Sequence, residues 1–419
     1  MNYQEALDWI HGKLKFGIKP GVKRMTWMLE QLGNPQENLK GVHVVGTNGK
    51  GSVVNNLQHI FSEAGYEVGT FISPYIMDFR ERISLNGRMI SKEDLLACVS
   101  LVKPVVERLP LETDLKSATE FEVITLIMFV YFGRLHPVDI AFIEAGLGGR
   151  DDSTNIFKAL AIVCPSIGLD HQSILGQTYA EIAAHKADVL KGGEPLIFSV
   201  TDSSARQVFV AKAQEIQSSL YELGQDFFIE EVQTNLTFHS ADYSLTNLKL
   251  AMPGRHQLGN AALAIQTALL LKADYPQIND KAIRKGLAQA FWLGRTELMA
   301  DNLMIDGAHN NESIQALVNL LQKDYAGRTI HFLFAAINSK PITDMLDQLA
   351  KLGTVSVTSF DYPNSVALAD YPSAYAKVAD FKTWLNETYC RDSKNFYVIT
   401  GSLYFISQVR QWLLKSGCN

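Results

Sequence analysis

Two textures alternate along the chain. Short apolar runs, such as His43–Val45, Val138–Ile143 and Ala159–Val163, give way to stretches in which apolar residues recur at three- and four-residue spacing. The runs read as strands buried in a parallel sheet, and the periodic stretches as amphipathic helices. Val53, Val54, Leu57, Ile60, Phe61 and Ala64 give one apolar helix face, which Gly65 closes. Val68–Phe71 is a short strand ending at Ser73-Pro74, and Ser91 opens a helix with Glu93 and Asp94 in its first turn. Residues 1–40 read as two short amphipathic helices joined by Gly17-Ile18-Lys19-Pro20-Gly21. Val123–Phe132, the longest apolar run, is about half of a membrane span and reads as a buried helix. Between residues 215 and 250 short alternating segments, Phe227–Ile229 and Leu236–Phe238, predict an antiparallel patch on the same domain.

A second alternating unit begins near residue 297. Strands are predicted at 303–305, 330–334, 355–358 and 396–400, with helical runs near 311–323, 341–351, 373–389 and 402–415. The pattern is that of a doubly wound α/β domain. At 419 residues the chain is too long for one ordinary core. The expected organisation is therefore α/β with two domains, 1–295 and a Rossmann-like 296–419, divided near Leu293-Gly294-Arg295.

Composition narrows the class. The chain is 47% hydrophobic and 20% charged, with a formal net charge of −6, which argues against nucleic-acid or membrane partners. One local exception is Lys13, Lys15, Lys19, Lys23 and Arg24, which serves equally as an anion patch or a solvated surface. The first residues lack the basic-then-apolar pattern of a secretory leader. Cys98, Cys164, Cys390 and Cys418 are too scattered for a disulfide framework or a zinc site. A cytoplasmic monomer is expected.

The candidate chemistry begins at Gly46-Thr47-Asn48-Gly49-Lys50-Gly51-Ser52, which joins a strand to a helix. Glycines let backbone N–H groups turn toward phosphate oxygens, and the helix adds the positive end of its dipole. Lys50 supplies a cation and Ser52 a hydroxyl for a phosphate-bound metal, although Gly51 stands where the usual phosphate loop has Ser or Thr. Glu144 ends the 138–143 run before Gly146, Gly148 and Gly149; it could hold Mg²⁺ at the ligand edge of the sheet or cap the next turn. Asp170-His171 reaches the same edge, with a structural histidine as the alternative, and His185-Lys186 by itself reads as a solvated pair. Asp306-Gly307-Ala308-His309-Asn310 ends a strand and starts a helix. It serves either a cleft shared with the first domain or an Asn310 cap with His309 exposed. Thr400-Gly401-Ser402 is a similar junction.

These motifs, with Ser73-Pro74 before Glu81-Arg82, Glu144–Arg150, Asp152-Ser153-Thr154-Asn155, Gly168–His171 and Thr400–Tyr404, occur in the order seen in folylpolyglutamate and dihydrofolate synthases. The chain resembles that family of the Mur ligase superfamily over nearly its whole length. The resemblance implies an N-terminal phosphate-loop ATPase domain, a C-terminal ligase domain, and amide formation through an acyl phosphate. Thr47, Asn48, Gly49, Lys50, Gly51, Ser52, Asn260, Arg295 and Asp306 are then the nucleotide contacts. Ser52, Ser73, Glu144 and His171 would serve two Mg²⁺ sites, and Lys50, Lys186, His171, Asp306 and His309 the catalysis. Lys186 aligns with a lysine carbamylated in relatives.

The implied substrates are ATP, L-glutamate and a reduced folate. Dihydropteroate, or both acceptors, is the alternative, and a catalytically silent nucleotide-binding regulator is the alternative of another class. A cell-wall ligase fits less well, because only about 45 residues precede the loop. The chain departs from the family pattern at Asn311, where a proline is usual. It also departs at His185-Lys186-Ala187-Asp188, at Asn338-Ser339-Lys340-Pro341, and in a tighter Arg295–Asp306 spacing.

Overall fold

The computed structural model describes all residues except 15, 16, 18, 234, 242, 339 and 417–419. Lys15 of the basic stretch, Ile18 of the first junction, Ser339 of the 338–341 segment and Cys418 therefore lie outside the described residues. The chain forms two compact units, Met1–Ala251 with Leu258–Ala290, and Met252–Gln257 with Phe291–Asn419.

The first unit is built on an eight-stranded sheet. Its strands are β1 (Gly41–Val44), β2 (Val68–Phe71), β3 (Ile83–Leu85), β4 (Arg88–Met89), β5 (Ile140–Glu144), β6 (Ala159–Cys164), β7 (Leu196–Phe198) and β8 (Leu220–Glu222). They lie in the order β4-β3-β2-β5-β1-β6-β7-β8, all parallel except the β2-β3-β4 meander. β1 is central and wholly buried, which is why its sequence carries no alternation. Its neighbours β5 and β6 are met only later in the chain. The connection from β1 runs through helix Lys50–Glu63 to β2, and β6 lies on the other side. The carboxyl ends of β1, β5 and β6 thus converge at a switch point, where open α/β sheets bind ligands.

Helices Lys92–Glu112 and Glu120–Val130 cover one face with the two N-terminal helices, Tyr3–His11 and Lys23–Gln31. The apolar run at 123–132 is buried as expected and ends in a wider turn, Tyr131–Leu135. Helices Tyr179–Ala187 and Ser203–Glu215 pack near β6 and β7. Three antiparallel strands, β9 (Phe227–Val232), β10 (Asn235–Ser240) and β11 (Tyr243–Leu248), form a separate small sheet in this unit. β5 begins two residues later than the apolar run suggests. Asp139 instead accepts the Glu67 N–H at 2.7 Å and stays outside the strand.

The second unit holds β12 (Glu297–Ala300), β13 (Leu303–Ile305), β14 (Thr329–Phe334), β15 (Gly353–Val357), β16 (Ala376–Lys377) and β17 (Asn395–Thr400), in the order β12-β13-β17-β14-β15-β16. Only β12 runs antiparallel. The helical run expected over 373–389 is in fact the edge strand β16 followed by helix Phe381–Thr388. Asp380 sets the helix start by accepting the Thr383 N–H at 2.8 Å, which shortens it from the N-terminal side.

Among the described residues no helix is long and apolar enough to cross a membrane. Cys98, Cys164 and Cys390 are free thiols, and burial pushes the first two up to about 12.

Candidate active site

Residues 45–52 leave the end of β1 and are tied down by the segment after β6. Thr47 N–H donates to Ser166 O and Asn48 N–H to Ser166 Oγ, both at 2.9 Å. Thr47 Oγ1 donates to Gly168 O at 3.2 Å and accepts from Gly168 N–H at 2.9 Å. The first bond inside the next helix is Val53 N–H to Gly49 O, so the turn before it presents donors that find no carbonyl within the helix. That turn also carries no acid. Both conditions suit an anion.

Gly49 has φ +88°, and a Cβ there would stand 2.5 Å from Asn260 Oδ1. Gly49→Ala should therefore cost about 1–3 kcal/mol of stability and displace Asn260. An unchanged denaturation midpoint would count against this packing.

Lys50 Nζ donates to Thr47 O at 3.1 Å and lies 3.7 Å from Glu144 Oε1. The pairing of Val44 with Glu144 in the parallel register brings the two together at the sheet edge. Ser52 is buried in the first helical turn. Ser73 follows β2, whose Phe71 is opposite Ile143 of β5, so it leaves the sheet next to Glu144. The turn beyond Ser73 is held from within. The Glu81 carboxylate accepts from the N–H groups of Ile76, Met77 and Asp78 at 2.8 to 3.2 Å.

Lys186 overturns the solvated-pair expectation. It is 3% exposed, and its Nζ donates to Gly46 O at 2.8 Å, directly beneath the phosphate loop. Burial, reinforced by the Lys50 charge and opposed by Cys164, Asp170 and Asp152, pushes its amine down to about 7. Gly149 makes this approach possible. A Cβ there would fall 2.8 Å from His185 O and 2.9 Å from Lys186 Cα. His185 itself is half-buried, with its Nε2 3.0 Å from Arg150 Nη2.

Beside Lys186, Asp152 accepts from Leu147 N–H at 2.6 Å, Thr154 N–H at 2.9 Å and Thr154 Oγ1 at 2.5 Å. Thr154 Oγ1 lies 2.8 Å from Nε2 of His43, whose imidazole burial pushes down to about 3. Ser166 supports the site without having stood out in the sequence. His171 is about half-exposed at φ +53°, with Nε2 3.9 Å from Asp170 Oδ1.

Among the described residues no group of three or more His, Cys, Asp or Glu side chains could hold a metal by itself. The donors Ser52, Ser73, Glu144 and His171 provide one carboxylate, two hydroxyls and an imidazole. The oxygen donors among them, Glu144, Ser52 and Ser73, suit Mg²⁺, which takes one or two carboxylates with substrate phosphates and water completing the shell.

In the second unit, the Asp306 carboxylate accepts from Thr296 N–H and Ala308 N–H, each at 2.8 Å. Gly307 N–H donates to Gly294 O at 2.9 Å, and Gly401 N–H to Ala308 O at 3.0 Å, so 294–296, 306–310 and 400–402 meet at one sheet edge. A Cβ on Gly307 would stand 3.3 Å from Arg295 Nη1. Asn310 does cap the helix Asn311–Asp324, accepting from Ser313 N–H at 2.9 Å, while His309 is half-buried with Nδ1 2.8 Å from Gly307 O. His256 belongs to this cluster as well. Burial lowers its pKa and Arg295 adds to the effect, against the opposing pull of Asp306. Asn311, the departure from proline, donates to Asp344 Oδ2 at 3.3 Å. Asp306→Ala should strand the two N–H groups and cost about 1–3 kcal/mol each, read as a lower denaturation midpoint.

No protein-family model matches the chain. It is 39% identical over 428 residues to the dihydrofolate synthase/folylpolyglutamate synthase of Bacillus subtilis, covering 98% of this chain and 99% of that one. It is 34% identical over 430 residues to the folylpolyglutamate synthase of Lacticaseibacillus casei, covering 99% of both. The apo form of L. casei FPGS superposes with a TM-score of 0.85 at 32% identity, over 99% of this chain and 100% of that one. An FPGS complex with AMPPCP and folate gives the same TM-score, identity and coverage.

Proposed function

Because this chain belongs to the folylpolyglutamate synthase/dihydrofolate synthase family of Mur ligases, we propose that it is an ATP-dependent ligase joining L-glutamate to a reduced folate. The observation that carries the reading is Lys50 facing Glu144 across the end of β1, at the start of a helix whose first N–H groups have no carbonyl to meet within the helix. The ATP-analogue complex of a relative supports the nucleotide, and its folate supports the acceptor class.

A carboxylate is a poor electrophile. In the proposed reaction one carboxylate oxygen of the folate tail attacks the γ-phosphorus of ATP, and the bond to the β-γ bridging oxygen breaks to release ADP. The glutamate amine then attacks the acyl carbon of the acyl phosphate. The amine loses a proton, inorganic phosphate leaves, and an amide remains. Lys50 and the backbone N–H groups of residues 49–52 stabilise charge on the transferring phosphoryl group. We assign nucleotide contacts also to Thr47, Asn48, Asn260, Arg295 and Asp306. His309 is assigned to the glutamate step.

Ser52, Ser73, Glu144 and His171 would hold Mg²⁺, which when bound neutralises phosphate charge. Lys186 would be carbamylated, because a buried amine lowered to about 7 has a substantial neutral, nucleophilic fraction at neutral pH and sits under the loop as an anion precursor. The reading includes a cytoplasmic monomer, and the free thiols among the described residues fit a reducing compartment.

The B. subtilis relative carries both synthase names, which favours dihydropteroate as a second acceptor. The test is ADP release from Mg-ATP and L-glutamate with tetrahydrofolate or dihydropteroate, checked by the mass of the glutamylated product. Product with both acceptors is expected, and product with neither would overturn the reading.

A further inference from the structure

Lys281, Arg284, Lys285 and Ala288 recur at i, i+3, i+4 and i+7 and so share one face of helix Asp280–Gln289. The opposite residues, Ala282, Ile283, Gly286 and Leu287, are buried. Gly286 packs so closely on helix Lys50–Glu63 that a Cβ would stand 2.7 Å from Ile60 N. The apolar face is thus used inside the fold, and the basic face looks outward. With Asn247 near the end of β11 and Lys249 just after that strand, that face lines a cavity of about 340 Å³. Its size is at the lower bound for small-ligand pockets.

The cavity's charges are unbalanced. Arg284 is oriented by its Nε–H bond to Thr246 O at 2.9 Å and by Asp280 at 3.7 Å, and Lys285 by Glu63 at 2.7 Å. Lys249 and Lys281 have no hydrogen-bond or ion-pair partner among the described residues. Cations at i, i+3 and i+4 repel one another and weaken a helix. The packing of this helix does not require them. In a chain of net charge −6, four basic residues lining one concavity against two carboxylates leave a local surplus of positive charge.

We propose that this cavity binds the carboxylates of an oligoglutamate tail, an assignment that rests on the glutamate-ligase reading. Each glutamate joined to the next through one of its two carboxylates keeps the other free, so every turnover adds an anion to the row along the tail. Ammonium and guanidinium groups at helical spacing match such a row. The cavity is at the far end of helix Lys50–Glu63 from the phosphate loop, about 20 Å away by helix rise. It grips tail already made and takes no part in bond formation.

The test is fluorescence anisotropy of a labelled hexaglutamate with the full chain at low salt. The expected result is saturable binding, weakened roughly tenfold in the K249Q/K281Q double variant and fading as salt is raised. These two exposed side chains have no partners to lose, so the variant should fold normally, as a melting curve will verify. Equal binding by variant and wild type would overturn the proposal. So would tighter binding of inorganic tripolyphosphate or single-stranded RNA to the same lysines. ADP release with a monoglutamate acceptor is measured in parallel and should be the same in both proteins. Its absence in the wild type would sink the ligase reading, while the anisotropy still decides whether the tail binds.

Discussion

Lys50→Ala should lower kcat for acceptor-dependent ADP release by roughly 10²–10³-fold while leaving the fold intact. The side chain makes one hydrogen bond, to Thr47 O, and its charge lies 3.7 Å from Glu144 at the mouth of the loop. Its removal takes away a fixed cation where phosphoryl charge develops, and water cannot supply an equivalent without reorganising. Lys50→Arg should restore little, since a planar guanidinium does not replace a compact ammonium inside a glycine-lined turn. The variant also tests a linkage. The Lys50 charge is one cause of the low proton affinity of Lys186, so that affinity should rise when Lys50 is lost. Near-wild-type kcat in Lys50→Ala would remove the loop from the reaction.

Lys186→Ala should lower turnover by a comparable factor, about 10²-fold, with partial rescue by short carboxylates such as acetate. The substitution replaces a buried amine that donates to Gly46 O, so a stability loss of about 1–3 kcal/mol is expected alongside and must be separated by melting. Rescue is the decisive readout, because a purely structural lysine would not respond to an added anion. The pH dependence has a definite sign. Folding lowers this amine from 10.5 to about 7, so between those values the unfolded chain holds a proton that the folded chain lacks. Stability from this group accordingly rises with pH across that window and is lower below about 7. Carbamylation follows the neutral amine and should increase as pH passes 7 in CO₂-containing buffer, seen as a mass gain of one CO₂. A fully active enzyme with unmodified Lys186 would end the carbamate assignment.

Much of this architecture was legible from pattern alone. Glycines around one lysine, flanked by an apolar strand and a periodic helix, can hardly form anything but a strand-turn-helix unit, and β1 with helix Lys50–Glu63 is that unit. Runs buried on both faces marked β5 and β6 in the same way. Edge strands were another matter. β12 and β16 are short and half-exposed or exposed, so neither alternation nor an apolar run reveals them.

The burial of Lys186 went unread because a lysine normally marks a solvated position, yet a signal existed. Ile182, Ala183 and Ala187 share its helix face, and all of them are buried. The glycine at 149 gave the second half of that signal, since it clears the way for this helix. Ser166 offered no signal, because its value lies in a hydroxyl that meets Asn48 only after folding.

The turn after Ser73 has a consequence for how this chain can change over generations. Its path is set by the Glu81 carboxylate gathering N–H groups from residues 76–78, and every amino acid except proline supplies such a group. Descendant sequences can therefore exchange the half-buried side chain at 77 while the path of the turn is inherited, whereas Ile76 is buried and Asp78 caps the turn Phe79–Arg82. Position 77 is then free to vary while position 81 stays acidic, because one is read only through its backbone and the other through its carboxylate.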